Sequence, residues 1–83
     1  MSLYNRPKYI IYHDLEHDME LPIIFPNCLV HLDVAKRLKG RVVSAGFVVI
    51  DPNGDYKAFG RSESIGCSSR EEDSDILGMY LTA

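Results

Sequence analysis

His13, Asp14, Glu16, His17 and Asp18 put two imidazoles and three carboxylates into six consecutive residues. On a helix, His13 and His17 would share a face and, with a carboxylate, could hold a zinc ion. A strand followed by a turn would point them apart. The segment also lacks the second histidine and glutamate element of zinc hydrolase motifs, so a plain polar turn is the simpler expectation and no cofactor is expected. A second set is Cys67, Ser68, Ser69 and Arg70, preceded by Gly66. At the start of a helix its free amides would receive an anion and activate Cys67 as a nucleophile. Arg70 lies too close to Cys67 for a phosphatase-type loop, and the acids Glu71, Glu72 and Asp73 behind it would repel phosphate. Helix capping is the simpler reading. His31 beside Asp33, with Cys28 upstream, could be drawn as a Cys/His pair, but nothing in the sequence supplies an orienting acid or an oxyanion hole.

The elements that must position these groups follow from pattern. Tyr9, Ile10, Ile11 and Tyr12 suit a strand, and Asp14 to Asp18 a solvated turn. In the run Met19 to Phe25, Leu21, Ile23 and Phe25 alternate, while Pro22 lacks an amide hydrogen and belongs on a sheet edge or at a bulge. Asn27 is placed to cap a short helix in which Val30 or His31, Val34, Ala35 and Leu38 recur at helical spacing. Lys36, Arg37, Lys39 and Arg41 then offset the helix dipole, and Gly40 stops the helix in a left-handed conformation.

Arg41 to Asp51 is apolar on both faces and reads as a central strand. Asp51, Pro52, Asn53 and Gly54 form a turn, since Pro52 presets its φ and Gly54 accepts a positive one. Pairing across that turn sets Ile50 opposite Tyr56 and Val48 opposite Ala58, with Ser44, Gly46, Ala58 and Gly60 as a flat floor for a helix. The other face joins Val43, Ala45, Phe47 and Val49 to Lys57 and Phe59, with Phe47 and Phe59 directly opposed. Arg61 to Cys67, rich in serine and glycine, reads as irregular or as a strand running on for a few residues. Ser68 with Glu71 and Ser69 with Glu72 have capping-box spacing for a second helix carrying Ile76, Leu77 and Tyr80 and ending near Leu81. Met1 to Leu3 are set aside.

The chain has 83 residues, enough for one small domain with its own core. Its formal charge of -3 makes nucleic acid an unlikely partner. The acids in Asp14 to Glu20 and Glu71 to Asp75 only faintly permit a DNA-mimicking inhibitor. Two cysteines make no disulfide framework, and neither a signal-peptide pattern nor a membrane-spanning run is present, so a reducing cytoplasm is the expected compartment.

Arg41-Val-Val-Ser-Ala-Gly-Phe47, Gly60-Arg-Ser-Glu-Ser-Ile65 and Ser69-Arg-Glu-Glu-Asp73 resemble segments of small uncharacterised proteins of tailed bacteriophages and prophages, a likeness running from Pro22 to Leu77. The resemblance implies a bacterial cytoplasm and an accessory protein, and it carries no catalytic residue. The expected fold is α+β in ββαββα order: an antiparallel sheet of about four strands with two helices on one face. Helices on the flat floor would leave Val43, Phe47, Val49 and Phe59 bare, the mark of an interface. The expectation is therefore a non-enzymatic binding or assembly module, a homodimer or a partner of a host or phage protein. The alternative is a small metal or thiol enzyme using His13 and His17 or Cys67.

Overall fold

β-Branched and aromatic residues, bounded by turns, set the order of elements in the computed structural model, which describes residues 6–81. Met1 to Leu3 lie outside the described residues. Strand β1 (Lys8–Asp14) turns back into β2 (Met19–Phe25), followed by helix α1 (His31–Ala35), β3 (Gly40–Ile50) and β4 (Tyr56–Phe59). Two short strands, β5 (Arg61–Ser62) and β6 (Cys67–Ser68), precede helix α2 (Asp73–Leu81). The first four strands form an antiparallel sheet in the order β2-β1-β3-β4, and β5 and β6 pair with each other as a separate ribbon. The order is thus ββαββββα: the segment expected to be irregular folds back on itself as a ribbon through a turn at residues 63–66.

The hairpin of β3 and β4 has the expected register, with Phe47 opposite Phe59, Val48 opposite Ala58 and Ile50 opposite Tyr56. Asp51 organises its turn, taking the amides of Asn53 and Asp55 on Oδ1 at 2.9 and 3.0 Å, and Gly54 carries φ 85°. β2 lies on the edge, as Pro22 requires. β4 occupies the opposite edge, where the Ala58 amide donates to the Ser74 hydroxyl of α2 at 2.9 Å. Both edges are therefore poor templates for strand addition.

The two helices do not share a face. Tyr9, Ile11 and Val48 pack with Leu77 and Ile76 of α2, whereas Ile10, Phe25 and Ala45 pack with Val34 and Ala35 of α1 and with Ile65 and Cys67 of the ribbon. Side chains alternate across a strand, so Tyr9, Ile10 and Ile11, all fully buried, serve both layers in turn. The flat floor does receive a helix, α2, but α1 and the ribbon cover the other side.

A bulge accounts for a second departure. Ile11 faces Ser44 while Tyr12 faces Val42, so Val43 is the extra residue. The inserted residue inverts the alternation, sending Val42 to the α1 layer and Val43 to the α2 layer. Val43 therefore does not share a face with Phe47 and Phe59.

The helix ends also differ from expectation. Asn27 donates to the Arg6 carbonyl at 2.7 Å and caps nothing, α1 begins after Val30 with no side-chain cap, and it stops at Ala35. Gly40 opens β3, where a Cβ would overlap the His13 carbonyl oxygen; close approach, not a positive φ, explains the glycine. Ser68 sits in β6 rather than capping α2.

The foot of α2 is held by the fully buried Asp73. Its Oδ2 takes the Tyr9 hydroxyl at 2.5 Å and the Arg70 amide at 2.9 Å, and its Oδ1 takes Arg70 Nε at 2.9 Å. Arg70 continues to Glu20 of β2, with Nη2 and Oε1 2.9 Å apart. Burial, then the bond to Asp73, pushes the Tyr9 phenol far above its ordinary pKa, so it stays a donor. Removing one member leaves a desolvated polar group. In urea denaturation, Tyr9→Phe is expected to cost about 1–3 kcal/mol, and Asp73→Ala about 3 kcal/mol or more. Equal, negligible losses would show that α2 is held by apolar packing alone.

Candidate functional site

Histidines 13 and 17 are drawn to different carboxylates. His13 Nε2 lies 2.8 Å from Asp18 Oδ1, while His17 Nδ1 bonds Asp14 Oδ2, which also takes the His17 amide at 3.1 Å. The turn at residues 15–18 separates them, with Asp18 at φ 51°. The hydrogen bond from the His17 side chain holds the Asp14 carboxyl below the usual carboxylate range. A different trio, Asp14, Glu16 and His17, has ligand atoms within 4.8 Å of one another. Asp14 is the buried member; Glu16 and His17 are exposed.

The Cys67 segment is not a helix N-terminus. Cys67 and Ser68 belong to a strand, Cys67 packs against the Ile10 layer, and the Ser69 amide donates to the Gly60 carbonyl at 2.9 Å. Arg70 faces the carboxylates of Glu20, Glu72 and Asp73, so its charge is matched within the chain. The cradle of free amides and a free cation that an anion needs is absent from this segment. His31 and Cys28 are likewise parted, with His31 in the core and Cys28 exposed.

His31 instead completes a row of rings. Nε2 carries the hydrogen and donates to the Gly46 carbonyl at 2.9 Å. Phe25 and Phe47 meet its ring edge-on, at centroid distances of 5.4 and 5.9 Å. Phe47 continues to Phe59 at 5.8 Å, and the Arg6 guanidinium lies 5.5 Å from the Phe59 centroid. Phe47 and Phe59 are thus half-buried within one subunit rather than bare. Of the residues expected to form an interface with them, Val43 packs in the α2 layer and Val49 is 36% exposed.

An open apolar groove lies between edge strand β2 and α1. Ile23, Ile24, Phe25, Leu29 and Val34 line its volume of about 650 Å³, with Asp33, Lys36 and Arg37 at its rim. Leu29, Val30 and Leu32 leave 44%, 45% and 40% of their surface exposed beside it. The sequence held a signal for this site in the run Cys28 to Leu32, too apolar for the loop that leads into a five-residue helix.

Comparison with protein-family profiles, curated proteins and solved structures returned no match. Among the described residues no helix is long and apolar enough to cross a membrane.

Burial holds the pKa of His31 below its ordinary value near 6.5, opposed by the bond to Gly46. The unfolded chain, with an unshifted histidine, takes up a proton first. The stability from neutral His31 is thus complete above pH 6.5 and drains away as pH falls below that value towards the depressed folded pKa. Urea midpoints measured from pH 7 to 5 are expected to fall in the wild type and to flatten in His31→Phe, which keeps the ring row but cannot titrate. Parallel profiles would show that His31 is not the group responsible.

Proposed function

We propose that the chain is a non-enzymatic binding module that takes up an apolar segment of a protein in the groove between β2 and α1. The observation carrying this reading is the groove itself, an open apolar surface beside an edge strand that Pro22 makes unsuitable for strand pairing. The chemistry of the remaining candidate groups supports it. Arg70 is matched by carboxylates, His31 is locked in a ring row, and Cys67, half-buried, packs against the Ile10 layer. The cytoplasmic and phage-type setting expected from the sequence suits a module of this kind and forms part of the proposal.

Selection from a display library of short peptides is expected to enrich apolar sequences. Their binding should shift the amide resonances of Ile23, Ile24, Leu29 and Val34 and be lost in Leu29→Glu. Enrichment of nothing, or shifts confined to another surface, overturns the reading.

A second reading, a small metal protein, has the Asp14, Glu16 and His17 trio in its favour. Nitrogen and carboxylate donors suit Zn²⁺. Against it, His17 is already paired with Asp14 and His13 with Asp18. Calorimetric titration with Zn²⁺ after chelator treatment decides the matter. This reading expects saturable binding that His17→Ala abolishes, and a flat titration removes it.

A further inference from the structure

The groove rim, where Lys36 and Arg37 outnumber Asp33, is net basic, the outer side of α2 is acidic, and neither charge is matched among the described residues. Lys36 and Arg37 line the groove, both exposed, and neither has a carboxylate partner among the described residues. The expectation that they offset a helix dipole loses force, because α1 has five residues and ends before them. On α2, Asp75 and Met79 stand one turn apart on the same side, with Glu71 just before the helix. Glu71 and Asp75 lack a cation partner among the described residues, while Met79 is 69% exposed and Tyr80 41%. The opposite side of α2 is committed to the core through Ile76 and Leu77.

We propose that the groove receives the outer side of α2 from a second copy of this chain, Met79 entering between Leu29 and Val34 while Asp75 and Glu71 meet Lys36 and Arg37. This deepens the binding reading and rests on it. Charge complementarity names the occupant: the groove offers apolar walls with a basic end, and α2 offers an exposed methionine with an acidic start. A groove-to-groove dimer would instead set Lys36 and Arg37 against their own copies. Because α1 and α2 lie on opposite faces of the sheet, a chain cannot fill its own groove. A joined pair keeps one groove and one helix side free, on different copies. The contact is heterologous, and assembly continues head to tail.

Sedimentation velocity on the intact chain across a concentration series tests this. The wild type is expected to form a ladder of species that shortens as salt rises. Leu29→Glu, which closes the groove, and Met79→Glu, which spoils the helix side, are each expected to be monomeric. Mixed, they should form a dimer and nothing larger, because one retains a helix side and the other a groove. Both positions are exposed, and Leu29→Ser with Met79→Ser repeats the test without added charge; circular dichroism checks that each variant is folded. A wild type that stays monomeric throughout, or variants that fail to complement although folded, overturns the proposal. If apolar peptides still bind the groove in that case, the binding reading survives and the second copy is excluded. If neither peptide nor copy binds, both fall.

Discussion

A carboxylate removed from water at the foot of a helix must find donors there, and Asp73 finds them in Tyr9 and Arg70. Tyr9 comes from the central strand β1, and Arg70 reaches on to Glu20 in β2, so three distant parts of the chain meet at one desolvated charge. Its main consequence is geometric. Sliding α2 by a turn would strand the carboxylate without partners, at a cost that apolar packing of Leu77 and Ile76 would not recover. The position of α2, the cover over Val48 and Ala58, and the direction in which Met79 points all follow from that anchor.

The other face is organised by fit rather than charge. Phe25, His31, Phe47 and Phe59 form a continuous row that begins at the edge strand and ends under Arg6. A neutral histidine serves there because it brings both a ring and a donor for the Gly46 carbonyl, and at Gly46 any side chain would collide with the Phe59 backbone. One buried hydroxyl, that of Ser44 beside the bulge, has no hydrogen-bond partner among the described residues.

With both faces of the sheet covered, the apolar surface left over is at the margin. α1 has five residues, too short to shelter the strand it lies against, and the segment leading into it is itself apolar. Chemistry-bearing side chains are meanwhile engaged in the fold: Arg70 and Tyr9 by Asp73, His31 by its ring neighbours, Asp14 by His17. A molecule arranged this way has more to offer a neighbouring chain than a small substrate, which is the basis of the functional proposal.

Local physics made much of this legible in the sequence. The hairpin register followed from Asp51 to Gly54, the edge position of β2 from the missing amide of Pro22, the central place of β3 from its two apolar faces, and the polar turn from its acids. Each depends on residues close together in the chain. The sequence also carried an unread signal: Asp73, Ile76, Leu77 and Tyr80 stand at helical spacing, so an aspartate at the head of an apolar stripe demanded a buried partner. Its partner Tyr9 lies 64 residues away, a distance no local pattern spans. Tertiary structure alone decided which face each helix took, because a strand buried on both sides accepts a helix on either. It also decided the bulge at Val43, whose single extra residue exchanged the layers of Val42 and Val43, and the groove, whose walls come from a strand and a helix that become neighbours only when the sheet is assembled.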